Sequence, residues 1–332
     1  MRIVGEEELR AAVPVGAAIA AVEAAFAALA RGEARLPPPM NLDIPEAPGE
    51  VHVKGGHLAG SPFYAVKIAT GFYRNADRGL PTGSGLVFVG DAATGFPAAL
   101  LLDNGWLTDL RTGAAGAVAA RHLAAPGSLS VGVVGAGIQA RFQLRCLAAL
   151  RAIGDVAIWS RSPGHAADCA AELAAELGLP VRAVATPEAA VRGRSLVYTV
   201  TPSRAPLVRP EWIEAGALLV AVGSDGPEKR ELEVGVLAAA DRVVADHLGQ
   251  CLRLGEIHHA VDAGVLRPGD VVELGDVVLG RVPGRRHASE RIVCDLTGVG
   301  VQDAAIAAVA MAALGLNPAG ALPDAPGARA DP

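Results

Sequence analysis

Residues 129–140 read LSVGVVGAGIQA, and no other stretch restricts the fold of this chain as tightly. A short apolar strand runs into Gly135-Ala136-Gly137-Ile138-Gln139-Ala140, and a helix-like run from Arg141 to Leu147 follows. Strand, G-x-G-x-x-A turn and helix form the context in which a dinucleotide fingerprint carries meaning. Gly135 permits the tight turn, and Gly137 lets the backbone approach a pyrophosphate. Ala140 lets helix and strand pack closely, and the helix start offers free N–H groups to phosphate charge. The bland alternative is a glycine-rich turn without a ligand.

The rest of the chain fits a two-domain protein. Its 332 residues can bury a large core. With 29 basic and 35 acidic residues the formal charge is −6, which leaves no electrostatic footprint for nucleic acid. The hydrophobic fraction of 51% comes largely from alanine and valine. No stretch of about 20 residues stays apolar without charge or Gly/Pro interruption, so no membrane span is expected. The alanine-rich run 14–30 follows Glu6-Glu7-Glu8 and lacks a basic leader, which argues against a signal peptide. Cys146, Cys169, Cys251 and Cys294 are scattered, with no C-x-x-C and no zinc spacing, and read as reduced thiols of a cytoplasmic protein. No metal site is expected. The Pro/Ala/Gly-rich tail, 317–332, is expected to be disordered at its end.

Two patterns divide the chain. A helix is predicted over 14–31, then short strands over 50–54, 64–70, 85–89 and 98–102, separated by turn residues: an antiparallel region with a helix beside it. A further helix is predicted over 108–123. From Ser128 strands (130–134, 155–160, 181–184, 195–200, 217–222, 241–245) alternate with helical runs (138–151, 164–178, 233–240). Six strands with helical crossovers predict an α/β protein with a Rossmann-type, doubly wound parallel sheet. A glycine-containing loop, 295–303, leads to a last helix, 304–314, that returns to the first domain. The expected division is a discontinuous α+β domain, 1–112 with 300–332, and a dinucleotide-binding domain, 113–299.

The second strand of that sheet ends Trp159-Ser160-Arg161-Ser162. A free ribose 2′-hydroxyl usually meets an Asp or Glu at this tip, and none is present. Arg161 can pair with a 2′-phosphate, and Ser160 and Ser162 can donate hydrogen bonds to it. NADP(H) is favoured over NAD(H). The alternative, a solvated strand-end arginine, keeps NAD(H) open.

Several charged residues stand in apolar or glycine-rich surroundings. Lys67 lies in the otherwise uncharged strand Tyr64-Ala65-Val66-Lys67-Ile68-Ala69-Thr70, either as a site cation or as an outward-facing lysine. Arg111 precedes the small-residue run 112–117, which admits another backbone or a ligand; the alternative is a surface arginine in a first helical turn. Lys54 before Gly55-Gly56 is a weaker candidate of the same kind. Asp225 follows the fifth strand, at the edge where open α/β sheets bind ligands, or simply forms a turn. His258-His259 suggests a metal or acid–base pair, but adjacent helical positions diverge, which favours a surface or capping role.

At these residues the chain resembles the ornithine cyclodeaminase/μ-crystallin family. The marks are Val66-Lys67, Leu102-Asp103-Asn104-Gly105 with Leu107-Thr108-Asp109-Leu110-Arg111-Thr112, the glycine fingerprint, Gly223-Ser224-Asp225 with Lys229 and Glu231-Leu232, and the run from Asp295 to Asp303. Residues 42–46, 100–105 and 255–260 are most similar to the ectoine-utilisation subgroup, described as diaminobutyrate dehydrogenase or cyclodeaminase-like. The resemblance implies a homodimer built through the β-rich domain, a nicotinamide cofactor and chemistry at the α-carbon of a small amino acid or its imine. It implies that Lys67 and Arg111 hold the substrate carboxylate, with Thr82 nearby, and that Asp225 is the catalytic acid/base. Thr112, Gly137, Ile138, Gln139, Lys229, Val299 and Gly300 match cofactor contacts; Gly135, Thr199, Thr201, Val222 and Gly223 complete the expected set. Many members carry an arginine after the first helix that also grips the carboxylate. Here that stretch is Pro39-Met40-Asn41-Leu42, so Lys54 or Arg35 compensates or the substrate differs. The activity so implied is NAD(P)-dependent amino-acid dehydrogenation or imine reduction. Cyclodeamination with release of ammonia and storage of a small ligand without catalysis are the alternatives.

Overall fold

The computed structural model describes residues 1–317, the side chain of Ala76 excepted. The tail from 318 onward, including the segment expected to be disordered, lies outside the described residues.

Two sheets organise the chain. The first contains β1 (Arg2–Gly5), β2 (Ala34–Arg35), β3 (Met40–Ile44), β4 (Gly49–Leu58), β5 (Phe63–Phe72), β6 (Gly83–Asp91) and β7 (Pro97–Leu102), in the order β1-β7-β6-β5-β4-β2 with β3 also on β4. All its pairings are antiparallel except β1 with β7. It is therefore mixed rather than purely antiparallel, and the sequence reading missed β1, β2 and β3. All three are short and mostly exposed, and alternation is weak in such strands. Helices α1 (Glu6–Ala12) and α2 (Val15–Ala30) precede β2, and α2 buries Ile19, Val22, Ala25 and Phe26.

After β7, α3 (Trp106–Leu123) runs without a break through Thr112 and Gly113. Its small-residue run admits the backbone of the next helix, α4 (Ile138–Ala148), at Phe142. The second sheet is parallel throughout: β8 (Leu129–Val134), β9 (Ile153–Trp159), β10 (Val181–Ala183), β11 (Leu196–Thr199), β12 (Leu218–Ala221), β13 (Arg242–Ala245), β14 (Val271–Glu273) and β15 (Ile292–Asp295), in the order β10-β9-β8-β11-β12-β15-β13-β14. Between its strands lie α5 (Pro163–Leu177), α6 (Pro187–Val191), α7 (Val234–Ala238), α8 (Leu248–Cys251), α9 (Gly255–Asp262) and α10 (Leu274–Val278). The strand order reverses direction beside β8, which makes a doubly wound sheet with a crevice between the carboxyl ends of β8 and β11.

Two expectations need correction. The sheet has eight strands, not six, and β15 inserts between β12 and β13, so Asp295 ends a strand instead of opening a loop. Its Ile292-Val293-Cys294 is too short for a periodic signal, and pairing on both sides supplies what propensity does not. The last helix, α11 (Gly300–Ala313), starts at Gly300 rather than at Ala304. Gln302 and Asp303 therefore sit on its first turn. That helix packs on α2, β4 and β5. A Cβ at Gly300 would stand 2.1 Å from Gly55 O, so this crossing of helix and strand needs glycine.

Among the described residues no single helix is long and apolar enough to cross a membrane. All four cysteines are free and buried.

Candidate functional site

The fingerprint turn builds one half of the site. Gly135 adopts φ 122°, a conformation that glycine takes without strain. α4 begins at Ile138 with no side chain capping it. Nothing lies within 4 Å of where a Gly137 Cβ would be. A cleft of about 680 Å³ opens in front, lined by Gly135, Gly137, Ser160, Arg161, His165 and Thr201 among others. Among the described residues no carboxylate lines it. Free N–H groups, open space and positive charge fit a dinucleotide phosphate.

The expected cofactor residues fall into two groups. Gly135, Gly137, Ser160, Arg161 and Thr201 line the cleft, with Ile138 exposed at its edge. Ser162 caps α5 by accepting from His165 N at 3.4 Å. Several of the others have protein partners. Gln139 Nε2 donates to Asp109 Oδ1 at 2.8 Å, and the Thr112 hydroxyl donates to Thr108 O at 2.8 Å. Burial lifts the Asp109 carboxyl to about 6 against the pull of Gln139. Thr199, Val222, Val299 and Gly300 are buried.

Glu231 was assigned no role from sequence, yet it ties the ends of β11 and β12 together. Its carboxyl accepts from Thr201 N at 2.6 Å, the Thr201 hydroxyl at 2.7 Å and Gly223 N at 2.9 Å. Burial pushes it up to about 7 despite these donors.

The other half of the site comes from the first sheet. Lys54 and Lys67 are direct cross-strand partners on β4 and β5, and both are buried on the face toward α3 and α11. The reading of Lys67 as an outward-facing lysine is thereby overturned, because its side chain is 3% exposed. Its Nζ lies 3.2 Å from Asp303 Oδ2. Arg111, buried on α3 rather than at the surface, places Nε 3.0 Å from Asp303 Oδ1 and donates through Nη1 to Gln302 Oε1 at 3.0 Å. Lys54 Nζ donates to the carbonyls of Thr297 at 3.0 Å and Gly298 at 2.8 Å. Arg35 is exposed and donates to Gly32 O and Ala34 O instead. Thr82 is exposed, and its carbonyl accepts from Phe72 N at 2.7 Å.

Two cations thus share one buried carboxylate, with Lys54 as a further cationic neighbour. Burial, Arg111 and Lys54 bring the Lys67 ammonium down to about 7, with Asp303 opposing. Lys54 is lowered by burial too. Asp303 stays ionised, since Lys67, Arg111 and Lys54 outweigh its own burial. Asp303 and Gln302 were missed as site residues. The available signal was a lone carboxylate in the otherwise apolar run 303–313.

Asp225 closes the site from the second sheet. Its side chain is 38% exposed, and Oδ1 accepts from Lys229 Nζ at 2.7 Å. Burial resists its ionisation, but Lys229, Lys54 and His52 hold it well below the usual carboxylate range. Lys229 Nζ also meets Glu50 Oε1 at 2.9 Å, which links the loop after β12 to β4. Glu50, with His52, Lys229 and the Tyr73 hydroxyl as partners, falls to about 2 in spite of its burial. The His258 and His259 rings are not at the surface; both point into the loop that carries Lys229.

A cationic grip beside a half-open carboxylate, next to a nucleotide cleft, can hold a small anion and exchange a proton with it. Known proteins are similar to this chain in sequence and fold. The model of the ornithine cyclodeaminase/mu-crystallin family matches residues 4–313. A protein of Sinorhizobium fredii (strain NBRC 101917 / NGR234), named as an uncharacterized cyclodeaminase, is 44% identical over 93% of this chain and 95% of its own. The structure of an archaeal alanine dehydrogenase dimer with bound NAD superposes with a TM-score of 0.87 at 35% identity, covering 94% of this chain and 95% of that one. The Thermococcus litoralis Δ(1)-pyrroline-2-carboxylate reductase, in complex with NADH and L-proline, gives a TM-score of 0.90 at 28% identity over 94% of this chain and 97% of that one. The chain belongs to the ornithine cyclodeaminase/mu-crystallin family.

Proposed function

We propose that this protein is an NADP(H)-linked oxidoreductase acting at the C–N bond of the α-carbon of a small amino acid or its imine. The observation that carries the reading is the buried Lys54–Lys67–Arg111 cluster, whose Lys54 lies within electrostatic reach of Asp225, on a loop that packs at Gly223 against Thr201 of the cleft lining. The named activities of the alanine dehydrogenase and the pyrroline-2-carboxylate reductase support it.

The nucleotide, when bound, would accept the hydride in amine oxidation or supply it in imine reduction. Gly135, Gly137 and the start of α4 would hold its pyrophosphate, and Glu231 keeps the ends of β11 and β12 in place. Lys67 and Arg111 hold the substrate carboxylate, with Lys54 standing where the family arginine is missing. That grip orients the α-carbon and lowers the barrier to reaction. Asp225 moves the proton at the substrate nitrogen: it accepts one from the amine, or returns one to nitrogen in reduction. Before substrate binds, Lys229 keeps it ionised and aimed, ready to accept a proton.

Arg161, Ser160 and the absence of a carboxylate in the described lining support NADP(H). The NAD and NADH of the two compared structures favour NAD(H) as the second reading. Cyclodeamination uses the same groups, and the name of the Sinorhizobium relative favours it. The domain division at residues 112/113 and 299/300 belongs to this proposal, as does assembly with a second copy through the first sheet. The outer face of that sheet carries exposed Ile3, Met40, Leu42, Ile68 and Leu102.

The deciding experiment follows NADPH and NADH absorbance with cyclic imines, 2-oxo acids plus amines, ornithine and diaminobutyrate, with ammonia measured in parallel. Net nucleotide turnover on an imine or amino acid supports the proposal. Ammonia release with no net change in nucleotide assigns the lyase reading.

A further inference from the structure

The loop between β12 and α7 carries Asp225, Lys229 and Glu231, yet no regular secondary structure holds its middle. Its later part is held by the segment after β11, where Arg230 N donates to Ser203 O at 2.7 Å and Leu207 N to Glu231 O at 2.7 Å, and its middle is held by one helix, α9. On α9, His258 Nε2 donates to Pro227 O at 3.0 Å and His259 Nε2 donates to Lys229 O at 3.0 Å. The same helix supplies Glu256, whose carboxyl accepts from Glu231 N at 2.6 Å and Leu232 N at 3.1 Å. Asp295 fixes the start of α9 by accepting from Glu256 N at 2.8 Å and Ile257 N at 2.9 Å.

Adjacent helical residues ordinarily diverge. Here the rings lie 3.8 Å apart, centroid to centroid, at 37°, because the loop passes over the helix and offers two carbonyls two residues apart. A carbonyl only accepts, so each ring must carry its proton on Nε2. His258 Nδ1 is buried with no partner among the described residues. A buried ring nitrogen left without a partner is costly. The Nε2–H bond to Pro227 O is the side-chain hydrogen bond this ring makes among the described residues. The Ser224 hydroxyl joins the same arrangement, donating to Lys229 O at 2.6 Å. Lys229 is thus fixed at its backbone by His259 and Ser224, while its ammonium fixes Asp225 and Glu50.

We infer that His258 and His259 are positioning residues, which act through the Pro227 and Lys229 carbonyls to hold Asp225 and Lys229 at the mouth of the substrate site. The inference rests on the role of Asp225 proposed above. Each ring spends its Nε2 proton on a loop carbonyl, so that proton is not available to substrate.

The test compares His258→Phe, His259→Phe, His258→Gln and His259→Gln in the full chain. Glutamine can place an amide donor near the ring Nε2; phenylalanine cannot. Three quantities are read: kcat, nucleotide Kd from NADPH fluorescence, and hydrogen exchange of residues 224–232. The expected result is a fall in kcat of about ten-fold or more in the phenylalanine variants, in line with the penalty for misplacing a reacting group. Nucleotide Kd stays unchanged, exchange rises in the loop alone, and glutamine recovers most of the loss. His259 is only partly buried, so its variants carry the test if His258→Phe does not fold. Native kcat and native loop exchange in His259→Phe would overturn the inference. If the unaltered chain turns over no member of the substrate panel, the proposed function fails, and loop exchange alone decides the clamp.

Discussion

Lys67 Nζ stands 3.2 Å from Asp303 Oδ2, while the second oxygen of that carboxylate meets Arg111 Nε at 3.0 Å. One acid therefore serves two buried cations, with Lys54 as a third cation nearby. A substrate carboxylate would add a second anion to this group. This is the physical basis for expecting a small acid in this site.

The same cluster sets a pH dependence. With its ammonium lowered to about 7, Lys67 is charged below that pH and neutral above it. Attraction for an anionic substrate is therefore full in mild acid and lost as pH rises through 7. Log(1/KM) should decline above about pH 7 in the unaltered protein. Lys67→Arg, which stays charged, should flatten that decline. An identical profile in both would rule Lys67 out as its source.

Asp225→Asn keeps the shape of the side chain and removes its charge. Turnover should fall by roughly 10²–10⁴-fold, the usual contribution of a positioned acid or base. NADPH affinity, measured by fluorescence, should not change, because Gly135, Gly137 and Arg161 are untouched. Retained turnover would remove Asp225 from the proposed chemistry.

Arg161 is exposed in the cleft, with no acid beside it among the described lining residues. Arg161→Ala should weaken NADPH roughly ten-fold, the scale of one charge-assisted hydrogen bond, and leave NADH nearly unaffected. Titration of the adenine half alone isolates the effect: 2′,5′-ADP should lose affinity and 5′-AMP should not. Equal losses for both would assign the arginine no part in nucleotide choice.

The crossing of β4 and α11 tolerates no side chain. Gly300→Ala drives a methyl against Gly55 O and should cost about 1–3 kcal/mol, the range for overpacking. Urea unfolding measures it. Because Lys54 neighbours Gly55 and Asp303 lies one turn after Gly300, substrate KM should also rise. A variant as stable as the parent would mean that strand and helix separate cheaply.

The exposed apolar face of the first sheet predicts self-association. Ile68 faces outward between Val53 and Leu86, and Met40 pairs with Val53 on the same side. Light scattering should give twice the chain mass, and Ile68→Lys with Met40→Glu should reduce it to that of one chain. Monomeric behaviour of the unaltered protein would leave that face unexplained.

The glycine fingerprint was legible because its physics is local: turn, helix start and small-residue packing all fall within 12 consecutive positions. The strand tip at Arg161 followed from it by simple succession. Lys67 was harder to read. β5 alternates Ala65 and Lys67 on one face with Val66 and Ile68 on the other, and the outer face is apolar as well. Alternation therefore gave no inside and outside, and only the position of α11 made the lysine face buried. β15 offered three apolar residues and no period, so its place in the sheet came entirely from its neighbours β12 and β13.

The sequence by itself determined that a nucleotide-type turn opens a parallel sheet, and that a β-rich region precedes it. Both are set by short-range backbone geometry and hydrophobic period. Tertiary structure decided which charges meet. Asp303, nearly 200 positions from Arg111, becomes its partner only when α11 crosses the first sheet at Gly55, and His258 and His259 acquire a purpose only when the loop after β12 passes over α9. Such pairings depend on the closing of long loops and on burial, neither of which leaves a mark in the order of residues.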